Sequence, residues 1–298
     1  MTLPRRPPFQ TRISHFELPQ EGCALPFAIG GATQHNLTAV TECQNSQDSS
    51  SIIIKPKAIV AVVTDGCTGT HERLAASTRS ANEVGAKLLS YAVSTLALKL
   101  AITHTRLSPD RFVLKLSDLV GRRLLRTIRT FAGPDLTSQR IFAFDFLMST
   151  ILGLVVTDKR FIVFHSGDGL ASINGTLFDL ESQAGTYLTN DLFSRVNAEA
   201  DRPSIKLLSA GPTSTLNSIF LATDGLSRLI SEYRDEFTQF ANASPSPRQV
   251  RNGVDFLLQD FRSRLAWNPA VEPRLDDDAT FVLLRRTSAE AASHDQDH

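Results

Sequence analysis

Strand-type and helix-type hydrophobic patterns follow one another in long blocks, and this order limits the folds open to the chain. The stretch "SIIIKPKAIVAVVTDG" is rich in β-branched residues and is interrupted by Pro56, which predicts two strands joined by a tight turn. Two stretches of helical period follow, and then strand-length apolar runs separated by turn signals. Because strands and helices do not alternate singly, the sequence predicts an α+β architecture of antiparallel sheets covered by helices.

Two long amphipathic helices are predicted between the strand blocks. The first starts near Ser80, which forms a capping-box pattern with Glu83. The second starts at Ser108, with Pro109 at the first helical position. The apolar stripe of the first helix is predicted to consist of Val84, Leu88, Leu89, Val93, Leu96 and Leu100.

The second half of the chain predicts mostly strands. Residues 149–180 predict a meander of four antiparallel strands, broken at "TDK", "GDG" and "NG". "SIFLATDG" and "ATFVLLRR" predict two further strands, and between them a short helix around 226–240 and a long helix over "SPRQVRNGVDFLLQDFRSRL" are expected. Residues 182–204 form the one long connection, predicted to be a mobile flap.

The composition is ordinary for a globular protein, and the absence of an evident domain boundary predicts one domain. We expect a flexible segment over 1–20, a domain over 21–288 and a disordered tail over 289–298. The 31 Lys and Arg balance the 31 Asp and Glu, which removes any general electrostatic argument for nucleic acid or an anionic membrane. We expect no membrane-spanning helix, because no apolar run approaches roughly 18–20 residues. We also expect no secretory signal, because "MTLPRRPPFQ" has two arginines but no apolar segment behind them.

The three cysteines indicate the compartment. Cys23, Cys43 and Cys67 are too widely spaced for a disulfide framework or a zinc knuckle. We therefore expect a cytoplasmic protein.

Aspartates stand repeatedly at the ends of apolar runs. Asp65, Asp168 and Asp224 each precede a glycine, Asp48 lies just before a strand, and an acidic triplet at 276–278 precedes the last strand. Any one Asp-Gly pair is explained as a turn. If the carboxylates converged they would repel one another, and a hard cation such as Mg²⁺ or Mn²⁺ would offset that repulsion. Spacing alone leaves both explanations open.

Six short motifs occur in an order that resembles a known family. They are "CQNSQDS", "VVTDGCTGT", "NEVGAKLL", "FIVFHSGDGLASI", "IFLATDGLSRLI" and "DDDATFVLL". Together they resemble the type-2C, metal-dependent Ser/Thr protein phosphatases, in particular a bacterial branch with an Asp-Gly-Cys motif. The resemblance covers about 27–286 and implies a four-layer α/β/β/α sandwich, in which two antiparallel sheets are flanked by helices.

The resemblance also implies the metal ligands. Asp65 matches a carboxylate that bridges two ions, and the carbonyl of Gly66 matches a backbone ligand. Asp48 matches an acid that acts mainly through water, and Asp168 matches a ligand of a weakly held third ion. The other two matches are Asp224, preceded by Thr223 where the family has serine, and Asp277, placed by Thr280.

The implied activity is hydrolysis of phosphoserine and phosphothreonine in proteins. Two Mn²⁺ or Mg²⁺ ions, and in some members a third, would activate a water that attacks the phosphorus directly. The implied partner is a phosphorylated protein, either a Ser/Thr kinase or the target of one, and neither nucleic acid nor a membrane is expected.

Two positions depart from better-known members of the family. Cys43 stands where an arginine grips the phosphate, and Cys67 stands where a histidine is a proposed general acid. His35 is the best local substitute as a catalytic residue. Cys67 is open to three interpretations: a packing residue, an oxidation-sensitive thiolate or, against its soft chemistry, a metal ligand. Two alternatives remain for the whole chain: a scaffold that binds phosphoproteins, and an unrelated α+β protein whose Asp-Gly pairs are turns.

Overall fold

A computed structural model describes residues 15–17, 24–34, 47–67, 82–183, 187–194, 205–232, 234–242 and 278–287. The strands are β1 His15–Glu17, β2 Phe27–Gln34, β3 Asp48–Lys55, β4 Ala58–Asp65, β5 Ile151–Thr157, β6 Arg160–Ser166, β7 Leu170–Ile173, β8 Thr176–Asp179, β9 Lys206–Pro212, β10 Ser218–Ala222 and β11 Ala279–Arg286. The α-helices are α1 Asn82–Thr103, α2 Pro109–Ala132, α3 Leu136–Phe146, α4 Leu188–Ser194, α5 Ser227–Glu232 and α6 Arg234–Asn242.

The strands form two sheets. The first has six strands in the order β1-β3-β4-β5-β6-β9, and the second has five in the order β2-β11-β10-β7-β8. Among the described strands the short β1 pairs in parallel with β3, and the other pairs are antiparallel. The predicted α+β class is confirmed.

Three apolar cores separate four layers. One core lies between the helices α1, α2 and α3 and the outer face of the first sheet, with Phe112 and Phe164 fully buried in it. A second core lies between the sheets and contains Ile59 and Leu221. The third lies between the second sheet and the helices α5 and α6, where Phe220 packs edge-on against Phe237 at 4.7 Å between ring centroids. The arrangement is the predicted α/β/β/α sandwich.

The local signals at the first hairpin and at the second helix are confirmed. β3 and β4 pair in register from Asp48 with Asp65 to Lys55 with Ala58, so Pro56 lies in the turn between them. Helix α2 begins at Pro109, and the hydroxyl of Ser108 accepts a hydrogen bond from the N–H of Arg111 at 3.4 Å.

The predicted stripe of α1 is wrong on one side. Leu89, Val93 and Leu100 are buried, but Val84 and Leu88 are 45% and 46% exposed. The face that meets the sheet is built largely from small residues, because the helix packs closely against its neighbours. The buried small residues are Gly85, Ala86, Ser90, Ser94 and Ala97.

The close approach of α1 explains its small face. A Cβ at Gly85 would lie 1.9 Å from the carbonyl oxygen of Phe146, so no larger residue fits there without a shift of the backbone. The hydroxyl groups of Ser90 and Ser94 lie within hydrogen-bond distance of Ser49 and Ser51 on β3, at 3.0 and 2.8 Å. The predicted cap at Ser80 lies outside the described residues.

The predicted four-strand meander is also wrong, because the chain changes sheets in its middle. β5 and β6 belong to the first sheet, whereas β7 and β8 belong to the second. The "GDG" sequence makes this crossing, with φ of 87° at Gly167 and 122° at Gly169. Asp168 is therefore placed between the two sheets and not at the tip of a hairpin.

Two further expectations meet the structure in part. The connection 182–204 contains helix α4, whose Leu188 is buried, so it is not a plain loop. The long helix predicted over 246–265 lies outside the described residues.

Helix α1 is long and apolar enough to cross a membrane by length and composition, contrary to the expectation from the sequence. Its buried residues pack against β3, β4 and helices α2 and α3.

Candidate metal centre

Two carboxylates lie side by side where the first hairpin opens. Asp48, the first residue of β3, is the register partner of Asp65, the last residue of β4. Asp48 is buried and Asp65 is half-buried. Because the two residues are paired across neighbouring strands, their side chains are brought to the same edge of the first sheet.

Thr223 joins this edge to the second sheet. Its hydroxyl donates to Oδ2 of Asp48 at 2.7 Å and accepts from the N–H of Thr280 at 2.8 Å. The N–H of Gln47 in turn donates to Oδ2 of Asp278 at 3.0 Å. The starts of β3 and β11 and the end of β10 are thus held together by polar contacts between buried and half-buried groups, and the carboxylate of Asp48 is held from the second sheet.

The backbone after Asp65 is fixed by Asn82, the first residue of α1. The amide of Asn82 donates to the carbonyl oxygen of Cys67 at 2.6 Å and accepts from the N–H of Met148 at 3.1 Å. Its own carbonyl oxygen would lie 2.7 Å from a Cβ at Gly66, so glycine is required there by space. Sequence reasoning missed Asn82, although it opens the "NEVGAKLL" motif.

Two other predicted ligands lie in the described ranges, one in the crossing between the sheets and one after a strand of the second sheet. Asp168 is half-buried in the crossing from β6 to β7, and Asp224 is exposed in the single 3₁₀ turn that follows β10. A Cβ at Gly225 would lie 2.0 Å from the carbonyl oxygen of Asp278, so this turn packs directly against the start of β11. Each of the four acids therefore stands at a strand end.

Burial, with a smaller contribution from the charges of nearby acids, raises the pKa values of two groups at this site. Burial raises the pKa of Asp48 to about 7, and the charge of Asp278 adds to that rise. Burial likewise raises the pKa of the Cys67 thiol to about 12, with further contributions from Asp65, Asp168 and Asp224. Burial, reinforced by the nearby acids, therefore keeps the Cys67 thiol neutral.

Two more groups share this negative potential. Burial raises the pKa of Asp168, and Glu181 raises it further. Tyr187, whose hydroxyl hydrogen-bonds with Cys67, has a pKa raised by burial, by Cys67 and by the charges of Asp168 and Asp65. Its hydrogen bond with Cys67 and the nearby acids show that Tyr187 lies in the same site, although the sequence analysis did not single it out.

The donor set fits a hard cation in its chemistry. Asp48, Asp65, Asp168 and Asp224 offer carboxylate oxygens in a region where negative charge accumulates, which a bound divalent ion would offset. Within the described ranges, however, no group of three His, Cys, Asp or Glu is placed to hold a metal ion. The predicted ligand Asp277 and the predicted catalytic His35 lie outside the described residues.

Three solved structures that are similar to this chain in fold are bacterial phosphatases. A bacterial serine phosphatase superimposes with a TM-score of 0.54 and 14% identity, over 87% of this chain and 98% of the other. The Ser/Thr phosphatase Stp1 from Staphylococcus aureus gives a TM-score of 0.52 and 14% identity, over 92% and 98%. PstP from Mycobacterium tuberculosis gives 0.50 and 11%, over 88% and 99%. These likenesses establish the class of fold.

The sequence itself places the chain within a family. The family model described as Protein phosphatase 2C matches residues 39–261, which is more than half of the chain. The chain therefore belongs to the protein phosphatase 2C family. No curated protein sequence matches it. Its assignment to a branch with an Asp-Gly-Cys motif stays a prediction.

Proposed function

We propose that this protein hydrolyses phosphoserine and phosphothreonine in other proteins, with Mn²⁺ or Mg²⁺ as the cofactor. The proposal is carried by the pairing of Asp48 with Asp65 at the end of a hairpin in a chain of the protein phosphatase 2C family. A catalytic domain over 21–288 is part of the proposal.

The ions would be held by oxygen atoms from both sheets. Asp65 and the carbonyl of Gly66 would bind from the first sheet, with Asp48 acting through water. Asp224 and Asp277 would bind from the second sheet, two ions being shared among these groups. Asp168, in the crossing between the sheets, would serve a third ion. When bound, the ions would lower the pKa of water at the site and offset charge on the phosphoryl oxygens.

The chain's own residues would set the position of these oxygens. Thr223 holds the carboxylate of Asp48 by a hydrogen bond from the second sheet. Asn82 holds the carbonyl oxygen of Cys67 and so fixes the backbone on the far side of Gly66. Both side chains are buried, which limits their movement during the reaction.

Delivery of a proton to the leaving alkoxide is assigned to His35. A serine alkoxide is a poor leaving group, so a general acid should raise the rate by about 10²–10⁴. Cys67 occupies the place of the family's proposed acid, but its raised pKa makes it a poor proton donor near neutral pH. Cys67 is proposed to be a packing residue.

A phosphatase assay with matched variants tests the proposal. Wild-type protein should hydrolyse p-nitrophenyl phosphate and a phosphothreonine peptide only when Mn²⁺ or Mg²⁺ is added. Asp65→Asn should lower the rate by about a hundredfold or more, because it removes a charge at the centre of the site. Asp158→Asn is the control, since Asp158 is exposed in the turn between β5 and β6. Equal rates for the two variants would refute the assignment of Asp65.

A scaffold that binds phosphoproteins without hydrolysing them is the second candidate. It is favoured by Cys43 at the phosphate-gripping position, and by the lack of a preformed three-residue metal cluster within the described ranges. Phosphopeptide binding with no hydrolysis in any divalent metal would select it. In either case the proposed partner is a phosphorylated protein, such as a Ser/Thr kinase or its target, and the proposed compartment is the cytoplasm.

A further inference from the structure

The second half of helix α2 presents a strongly basic face in a chain of zero net charge. Arg122, Arg123, Arg126 and Arg129 are all exposed. The sequence contains no acid between Asp118 and Asp135. The positive charge of this surface is therefore local and is not balanced by residues of the same helical segment.

Among the described residues, one of these arginines has an acidic partner. Arg122 pairs with Asp118 at 2.5 Å, and both side chains of that pair are exposed. Arg126 and Arg129 form no ion pair with any part of the chain that the structure describes. Like charges three or four residues apart on a helix repel one another, so this spacing favours an external anion.

Two grooves lie along the same face. One has a volume of about 410 Å³ and the other of about 540 Å³, and Arg129 lines both. The first runs beside Arg122, Leu125, Arg126 and Thr130, and the second lies at the corner between α2 and α3, beside Gly133, Pro134, Leu136 and Gln139. None of these residues belongs to the candidate metal centre, so the grooves form a separate surface.

Exposed apolar side chains adjoin the grooves. Phe131 is 71% exposed and stacks on Phe142 with 5.8 Å between ring centroids, and Phe142 stacks on Phe146 at 4.9 Å. Leu136, which lines the larger groove, is also exposed. Arginine and aromatic residues are enriched at protein interfaces and supply much of their binding energy.

This surface lies toward the same end of the molecule as the acids. The start of α2 lies toward the end of the molecule opposite the acids, where the guanidinium of Arg160 donates to the carbonyl oxygen of Leu107. Arg160 begins β6, and Asp168 follows the other end of that strand. Helix α3 then runs toward the candidate metal centre, because the carbonyl oxygen of its Phe144 accepts a hydrogen bond from the side-chain amide of Asn82.

We propose that this surface, defined by Arg122, Arg126, Arg129, Phe131 and Leu136, binds an acidic segment of a partner protein that also carries an apolar side chain. Guanidinium groups bind carboxylates in a planar, two-pronged geometry, which suits a peptide with Asp or Glu. The grooves give the apolar side chain a recess, whereas the headgroup layer of a membrane would contact such a face without filling it. Binding here does not require hydrolysis at the metal centre.

The test uses fluorescence anisotropy with two labelled peptides and the full-length protein. One peptide is rich in Glu and contains one Phe and one Leu, and the other has Gln in place of every Glu. The variant Arg126→Glu/Arg129→Glu reverses the charge of the surface. Arg111→Glu is the matched control, because Arg111 is exposed on the first turn of the same helix. Melting temperatures verify that both variants fold.

The expected result is selective loss in the double variant. Its Kd for the acidic peptide should rise about tenfold or more, while Arg111→Glu stays within about twofold of wild type. Phe131→Ser should weaken binding several-fold, because the apolar side chain of the peptide loses its contact with the Phe131 ring. Wild-type binding of the acidic peptide should weaken as salt is raised.

Three outcomes would overturn the proposal. They are equal binding of the Glu and Gln peptides, equal loss in the two charge-reversal variants, and binding to phosphatidylserine vesicles without binding to the acidic peptide. The result is independent of the phosphatase assay, because a protein with no hydrolytic activity would still bind the peptide.

Discussion

Replacing Thr223 by valine should destabilise the protein through two buried polar groups at once. The hydroxyl donates to the carboxylate of Asp48 and accepts from the N–H of Thr280, and these residues are 2%, 3% and 0% exposed. Valine has nearly the same shape, so the change removes polar contacts without opening a cavity. A hydrogen bond to a charged group contributes about 1.5–3 kcal/mol, and a buried N–H left unsatisfied costs about 1–3 kcal/mol. Since one atom makes both contacts, we expect a total loss of about 3 kcal/mol.

Urea unfolding at about pH 8, above the raised pKa of Asp48, and in the presence of a chelator measures this loss without any contribution from bound metal. Thr223→Ser is the control, because it keeps the hydroxyl and removes one methyl group, which should cost about 1 kcal/mol. The melting temperature of Thr223→Val should fall by about 6 °C or more. If valine proved as stable as serine, the hydroxyl would not be the link between the sheets and the reasoning would be refuted.

Three further changes test other parts of the structure. Asn82→Ala should cost about 2–4 kcal/mol in urea unfolding, because it leaves the carbonyl of Cys67 and the N–H of Met148 without their partner; a loss below about 0.5 kcal/mol would contradict this. Gly85→Ala should cost about 1–3 kcal/mol of stability despite the higher helix propensity of alanine, because its Cβ would lie 1.9 Å from the Phe146 carbonyl oxygen. Val84→Ala is the control and should change stability little, because Val84 is exposed. Burial lowers the pKa of His165, so the unfolded chain binds a proton more readily and stability is lost as the pH falls below about 6.5. The melting temperature of wild type relative to His165→Asn should therefore fall between about pH 7.5 and about pH 5.5, and parallel curves would refute the argument.

Signals that act over a few residues were readable from the sequence. β-Branched residues around Pro56 predicted the β3–β4 hairpin, and Ser108 with Pro109 predicted the start of α2. The class of fold followed from the order of these elements. In each case the relevant energy lies in contacts between residues that are near in sequence, so a single chain is sufficient to show it.

Features that depend on distant neighbours were not readable. The apolar Val84 and Leu88 point to solvent because the backbone of α3 presses against Gly85, a contact that the pattern of α1 does not contain. The "GDG" sequence at Asp168 predicted a turn, but it did not indicate that the following strand joins the other sheet. Helix α3 was missed because its sequence, "LTSQRIFAFDF", has little amphipathic pattern.

The sequence left open whether the acids of the candidate site converge, because their contacts depend on how the strands pair and how the sheets pack. Asp48 and Asp65 are close because the hairpin is local, with 17 residues from one to the other by their numbers. The contact of Asp48 with Thr223 spans 175 residues, and neither segment contains a pattern that predicts it. Asn82 and Tyr187 were missed because each acts on Cys67 from a different part of the chain.

The long span between Asp48 and Thr223 also bears on how the protein reaches its native state. Contacts between residues far apart in sequence form slowly, since closing a long loop costs entropy before the contact repays it. We expect the local first hairpin to bring two carboxylates together early, whereas Asp48 meets Thr223 only when the second sheet docks on the first. A nascent chain that has emerged only as far as β9 lacks that partner altogether. Under the proposed metal binding, recovery of stabilisation by Mn²⁺ during refolding would therefore report the docking of the two sheets, and not the collapse of either one.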